Sequence, residues 1–254
     1  MIGKQYEYDA MATCEKELWW YKCLHELTLK KVKQVADKNA SILDAGCGTG
    51  GLLTRLHQQG FTNTAGFDLS TDAISYTIKK GFPNVQLLNI LDSDKAYPLG
   101  SFDTIICNDI LCLLDDGEDK IAIDKLISLL KPGGSLIMNL PAGKFFKGTH
   151  DYVLGVQRRY SKEKMRQLAK DCGVEITEMH HWPFMLSPLI FSLRLFQRGQ
   201  LLVNKQKQYK SDVSLPHPFL NNVFYKLTSF ENKTAGFKPW GSSVFVTMQK
   251  RKSE

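Results

Sequence analysis

The stretch "ILDAGCGTGG", Ile42 to Gly51, holds two glycine fingerprints that overlap. Gly46, Gly48 and Gly51 spell G-x-G-x-x-G, the dinucleotide pattern. Asp44, Gly46, Gly48 and Gly50 spell D-x-G-x-G-x-G, which suits a different nucleotide-like ligand. Glycines let a backbone turn tightly and approach a ligand closely. Alone they are weak evidence, because a plain strand-to-helix turn uses them too. Asp44 is the informative position. A carboxylate there repels a pyrophosphate and suits a ligand carrying an ammonium group. Asp68 follows 24 residues later. An acid at that spot can accept hydrogen bonds from two ribose hydroxyls, but NAD uses the same device. Asn108-Asp109 and the run Lys131-Pro132-Gly133-Gly134 add polar groups and a turn further on.

These residues need strand ends to hold them. "SILDAGCG" reads as a short apolar strand running into the glycines, and "GGLLTRLHQQG" as a helix stopped by Gly60. "NTAGFDLS" is a second strand, and "STDAISYTIKKG" a helix with Ser70 or Thr71 as N-cap. "NVQLLNI" is a third strand. "SFDTIICNDIL" is a fourth, apolar enough to be buried on both faces. "EDKIAIDKLISLLKPGG" is a helix ended by its Pro-Gly-Gly, and "SLIMNLPA" a fifth strand. Alternating strands and helices imply an α/β fold with a parallel, doubly wound sheet. "SKEKMRQLAKDCG" is a further helix, "VEITEMHHW" a sixth strand and "SSVFVTMQK" a seventh. One helix is expected over "CEKELWWYKCLHELTLKKVKQVADKNA". In open α/β sheets the ligand lies beyond the carboxyl ends of the strands.

"LDAGCGTG", "FDLS", "SFDTIICND" and "LKPGGSLIMNLP", in this order, resemble the motifs of the class I S-adenosylmethionine (SAM) methyltransferases. The resemblance covers most of the chain from about Trp19 onward. It implies a Rossmann-like seven-stranded sheet of order 3-2-1-4-5-7-6, with strand seven antiparallel. It implies SAM as cofactor, S-adenosylhomocysteine as product and no metal. Asp44 would orient the methionine end, with Gly46, Cys47 and Gly48 close to it. Asp68 would bind the ribose, with Leu69 beside the adenine. Asn89 and Ile90, ending strand three, would flank the ring. Asn108 would lie near the methionine portion. Trp20, in the cluster Trp19-Trp20-Tyr21, would close an N-terminal helix over the cofactor; plain packing on the sheet is the alternative.

A narrower bacterial branch of that family is also similar, through "EKELWWYKCLHEL", "HDYVLGVQRRYS", "LPHPFLNNVFYKLTSFEN" and "KPWGSSVFV". Two departures bear on the acceptor. Cys112-Leu113 stand where the branch usually has Glu-His, and Val156-Gln157 where it often has a His. His150 is the first candidate for a catalytic base, with Asp151 to orient it. A loop histidine bonded to a carbonyl is the plainer reading. Arg159 and Tyr160 are candidates to grip the acceptor, while Arg158 reads as a structural anchor. His180 and His181 alternate on strand six, so one faces each side of the sheet and one reaches toward the acceptor.

The implied organisation is a helical cap over 1–40, a SAM-binding core over 41–183 and 241–252, and a mostly helical lid over 184–240. The Phe184–Val203 segment is apolar and arginine-bearing, and with no run of about 18 uncharged apolar residues it is not expected to span a membrane. It points to a partly apolar small-molecule acceptor or a shallow, peripheral membrane contact, with core packing as the alternative. The chain of 254 residues has a formal net charge of +7, unevenly spread. Residues 1–143 carry 14 Lys and Arg against 18 Asp and Glu; residues 144–254 carry 19 against 8. A basic half suits an anionic partner, or is solvated lysine. The six cysteines lack C-x-x-C spacing, and the N-terminus has no apolar h-region, so a reduced, cytoplasmic protein is expected.

The reading is a methyltransferase acting on a small or lipid-like molecule in a biosynthetic pathway, at oxygen first. Nitrogen or carbon methylation is the alternative. A nucleic-acid enzyme is a further one, against which "NDIL" stands where amino-methylating enzymes carry N/D-P-P-Y/F/W. A SAM-binding partner subunit without activity is a last alternative. Monomer and homodimer both fit.

Overall fold

A computed structural model describes residues 5–203, 213–234 and 238–252, the side chains of 200–203 excepted. Seven strands form one sheet: β1 (Ile42–Ala45), β2 (Thr64–Asp68), β3 (Val85–Leu87), β4 (Phe102–Asn108), β5 (Leu130–Pro141), β6 (Glu175–Trp182) and β7 (Ser243–Gln249). Their order is β3-β2-β1-β4-β5-β7-β6. β7 runs antiparallel to both neighbours, and the pairs from β3 to β5 are parallel. The sheet is the doubly wound one that the alternating pattern predicts. Strand order reverses between β1 and β4, which opens the ligand crevice there.

The helices are α1 (Gln5–Cys14), α2 (Trp19–Val35), α3 (Gly51–Gln58), α4 (Thr71–Lys79), α5 (Ser93–Ala96), α6 (Glu118–Leu129), α7 (Thr149–Leu154), α8 (Lys162–Asp171), α9 (Ser187–Val203) and α10 (Pro218–Lys233). Period-2 alternation divides the strands between two cores. Leu43, Ile105, Cys107, Leu136, Met138 and Val246 face one side, with Ala122, Leu126 and Leu168 of α6 and α8. Ile42, Ile106, Ile137 and Phe245 face the other, with Leu24, Val32 and Leu53 of α2 and α3. The fully buried run of β4 follows from helices on both faces.

Three local expectations change. The N-terminus forms two helices, broken at Glu15–Leu18, because Glu15 is drawn inward to the glycine loop. β3 stops at Leu87; Asn89 then caps a 3-10 turn by accepting from the Leu91 amide. α6 ends at Leu129, and Lys131 to Gly134 belong to β5, since Leu130 already pairs with Phe102. The described residues between β6 and β7 form two helices, as the mostly helical reading expects, and α10 packs against α2, with Tyr225 Oη donating to Glu26 at 2.6 Å.

Phe245, fully buried in the middle of β7, supports the second core. Phe245→Ala is expected to cost about 3–5 kcal/mol of stability, read from urea denaturation.

Candidate functional site

The chain leaves β1 at Ala45 and turns through the glycines into α3. The amides of Gly46 and Cys47 both donate to Phe67 O, at 2.8 and 2.9 Å, which ties the loop to the end of β2. Gly46 has φ +82°, and a Cβ there would overlap the Ile110 side chain beyond β4. The loop therefore sits directly over the crevice. Gly51, the first residue of α3, has no unusual φ; a Cβ there would overlap the Glu15 carboxylate. Its smallness admits Glu15, which accepts from Thr49 Oγ1 at 2.8 Å and pairs with Lys80.

Three carboxyls border this crevice. Asp44 is 3% exposed, and its carboxylate accepts no hydrogen bond from any described residue. Burial, and then the charge of Asp68, push its pKa up to about 7. Asp68 is 6% exposed. Its Oδ2 accepts from Gly48 N at 3.0 Å, and its Oδ1 from Ser70 N at 2.9 Å and Tyr8 Oη at 3.4 Å. Burial raises this carboxyl while those amides pull it back. Asp109 follows β4 with φ +58°, an uncommon conformation for a non-glycine residue. Both its oxygens accept from Asn139 Nδ2, at 3.1 and 2.9 Å, and burial raises its pKa to about 7. Carboxyls held this way favour a cation placed among them.

Sequence reasoning missed α1 and Asn139. α1 lays Tyr8 against Asp68 and brings Met11 within reach of Gly48, and Tyr76 Oη donates to Asp9 at 2.7 Å to fix it on α4. Its apolar residues are too sparse to show helical periodicity. Asn139 is fully buried, and its Oδ1 accepts from Trp182 Nε1 at 2.8 Å. Nothing near it in sequence marks that role, because its partners come from β4 and β6.

The structure gathers Asp44, Gly46, Cys47, Gly48, Asp68 and Leu69 at one end of the sheet, with Asn89 and Ile90 just beyond β3. Leu69 is exposed, whereas Ile90 is 4% exposed and joins the core. Asn108 Oδ1 accepts from Asn139 N at 3.0 Å. Trp20 stacks on Trp182 at 5.9 Å, so it braces Trp182, while the neighbouring Tyr21 feels the charges of Asp109 and Glu15.

The expected acceptor grip is placed differently. Asp151 and Arg159 form a two-pronged ion pair at 2.9 and 3.0 Å, and Arg159 Nη1 donates to Ala142 O at 2.9 Å. Tyr160 is 1% exposed, and its hydroxyl donates to Leu111 O at 3.1 Å. These three side chains tie the segment after β5 to the core, as Arg158 does through Leu114 O at 2.9 Å. His150 lies on α7, not in a loop. His180 stands 3.3 Å from Glu178 on one face and His181 Nδ1 3.1 Å from Pro239 O, the opposite faces that alternation predicts. β6 is the edge strand, with β7 between it and β5, which sets both rings to the side of the β4–β5 edge.

A pH effect follows for Asp44. Its native pKa of about 7 exceeds the ordinary 3.8, so between those values the native state holds more protons than the unfolded chain. Its contribution to stability therefore falls as pH rises from about 4 to about 7. Asp44→Asn removes this, so its stability relative to wild type should climb across that window, measured by urea denaturation at several pH values.

Comparison with known proteins agrees with this geometry. The methyltransferase domain family matches residues 36–209. A Geobacillus sp. (strain WCH70) protein named as a methyltransferase is 32% identical over 142 residues, half of this chain and 57% of its own length. Rat glycine N-methyltransferase is 28% identical over 130 residues, 44% of this chain and 42% of its own. The chain thus spans about half the length of the curated relatives it matches. A SAM-dependent methyltransferase from Archaeoglobus fulgidus superposes with a TM-score of 0.57 at 14% identity, over 89% of this chain and 94% of the other. A Haemonchus contortus phosphoethanolamine N-methyltransferase solved with S-adenosylhomocysteine gives 0.61 at 15% identity, over 98% and 59%. Matched over residues 36–209 and folded with the strand order 3-2-1-4-5-7-6, the chain belongs to the methyltransferase domain family, in the class I SAM-dependent fold.

Proposed function

We propose that the protein transfers a methyl group from SAM to a small-molecule acceptor at the carboxyl edge of β4 and β5. One observation carries this reading: Asp44, a buried carboxyl with no described hydrogen-bond donor, stands beside Asp68 under the glycine loop. SAM carries an ammonium, a sulfonium and a ribose diol, and it supplies a methyl group on a positive sulfur that leaves readily. The donor set fits it. Asp44 takes the ammonium, and Asp68 takes the ribose hydroxyls in place of Tyr8. The backbone of Gly46, Cys47 and Gly48 lines the cofactor. Leu69, Asn89 and Ile90 border the adenine, and Asn108 the methionine portion. Trp20 supports this wall through Trp182. The remaining task of the chain is to align two reactants in line and exclude water.

The acceptor approaches from the side of α7 and the 184–240 segment, whose apolar side chains suit a partly apolar molecule. For a hydroxyl acceptor, His150 serves as the base, taking the proton as the carbon–oxygen bond forms. Nitrogen is the second reading, and Asp109 favours it. A half-buried carboxyl at the transfer edge, next to Tyr21, attracts an amine and can take its proton near neutral pH.

Asp68→Ala is expected to weaken SAM binding by about 1.5–3 kcal/mol. Unchanged affinity in calorimetry would remove the ribose assignment. The two acceptor readings separate on a panel of hydroxyl and amine compounds, followed by S-adenosylhomocysteine release. With an oxygen acceptor, His150→Ala lowers kcat by roughly 10²–10⁴ and spares SAM affinity. With an amine, Asp109→Asn raises the acceptor KM and shifts the pH profile, while His150→Ala does neither.

A further inference from the structure

Amphipathic helices of folded proteins turn their apolar stripe inward. α9 does the reverse. Leu189, Leu193 and Phe196, at i, i+4 and i+7, share one face. They are 54%, 49% and 65% exposed. Both described charged residues of the helix, Arg194 and Arg198, lie on the opposite face.

Three features fix this rotation. Gly148 has no side chain, and a Cβ there would overlap Arg194 Cδ and stand 2.6 Å from Gln197 Oε1, so the polar face of α9 presses against the start of α7. Arg198 donates to Lys147 O at 2.9 Å and to Phe145 O. Glu231, 3% exposed, accepts from the amides of Phe184 and Met185 at 2.7 and 2.8 Å just before the helix begins. Rolling the leucines inward would break the arginine bonds and close nothing in exchange.

The neighbouring surface has the same character. Phe145 is 72% exposed on the turn that Arg198 holds, and Tyr152 of α7 is 59% exposed. Lys144 and Lys147 flank Phe145, and Lys147 Nζ lies 4.9 Å from the centre of the Tyr152 ring. The acid of this stretch, Asp151, is 1% exposed and paired with Arg159. The face is thus apolar at its middle, basic at its rim and without an exposed acid from Gly143 to Leu154 or on the described part of α9. An anionic bilayer meets both requirements, because its boundary region accepts leucine and phenylalanine while its headgroups attract lysine. No helix among the described residues is long and apolar enough to cross a membrane.

We propose that the outer face of α9, with Phe145, Tyr152 and their lysines, docks the protein on an anionic membrane surface. α9 lies in the plane of the interface, held by its arginines to the body of the protein. The proposal does not depend on methyl transfer.

Co-sedimentation of the full chain with phosphatidylglycerol–phosphatidylcholine vesicles tests it, with phosphatidylcholine alone as the control. The protein is expected to partition onto the anionic vesicles, and less so in high salt. Leu193→Glu/Phe196→Glu should abolish partitioning with the melting temperature and SAM affinity unchanged, since both side chains already face solvent. Lys144→Gln and Lys147→Gln should each lower the partition coefficient roughly fivefold on anionic vesicles and leave the apolar face intact. Failure to bind anionic vesicles overturns the proposal. So does a concentration-dependent dimer that Leu193→Glu/Phe196→Glu dissociates while vesicle binding is absent, which assigns the face to a second copy. Loss of SAM affinity together with vesicle binding would mark the variant as misfolded, and Phe145→Glu, off the helix, then decides.

Discussion

The site depends on keeping carboxyls under the glycine loop with no cation beside Asp44. Asp44 and Asp68 are both nearly buried, and each raises the cost of ionising the other. A bare pair of this kind is unfavourable, so the surroundings compensate in part. Backbone amides of Gly48 and Ser70 hold Asp68. No described amide does so for Asp44, and that open carboxyl is what the proposed cofactor reading rests on. Burial makes an ionised Asp44 costly in the free protein, and it would strengthen the attraction to a cation placed beside it. Glycine is required over it for the same reason: the loop must come close, and Ile110 leaves no room for a side chain at Gly46.

Two networks hold this arrangement from either side. On one, Glu15 joins the end of α1 to Thr49 and Lys80, and Gly51 gives it space. On the other, Asn139 links three strands. It donates from its amide N to Asn108 Oδ1 and from its side chain to Asp109, and it accepts from Trp182. Trp20 of α2 then stacks on Trp182, and α10 packs on α2. The N-terminal helices and the segment before β7 are therefore parts of one support for the β4–β5 edge. The Arg159–Asp151 pair and the Tyr160 hydroxyl extend it into the loop after β5, where Ala142 bridges to Tyr160.

α9 shows a different balance. Seating Arg194 against the start of α7 and Arg198 on the carbonyls of Lys147 and Phe145 leaves leucine and phenylalanine in solvent. Hydrophobicity alone would choose the opposite rotation. The strong guanidinium-to-carbonyl bonds and the gap at Gly148 outweigh it, and the exposed face makes sense once a surface lies against it.

The sheet was legible in the sequence because its signals are local. Apolar runs end in glycine or an acid, helix caps such as Ser70 and Ser161 sit where they are expected, and Asp44 and Asp68 mark strand ends by type and spacing. The family motifs lie on these same residues. What lay beyond the sequence depends on partners distant along the chain. Asn139 looks like any polar residue in a strand until β4 and β6 close around it. Arg159 and Tyr160 carry chemistry-capable groups, and only packing shows their hydrogen bonds spent on Asp151 and Leu111. α9 has an amphipathic pattern whose inward face cannot be told from its own residues. Sequence fixes which groups a segment carries; the tertiary contacts decide which of them remain open to a ligand, because each hydrogen bond made inside the fold is one withheld from the site.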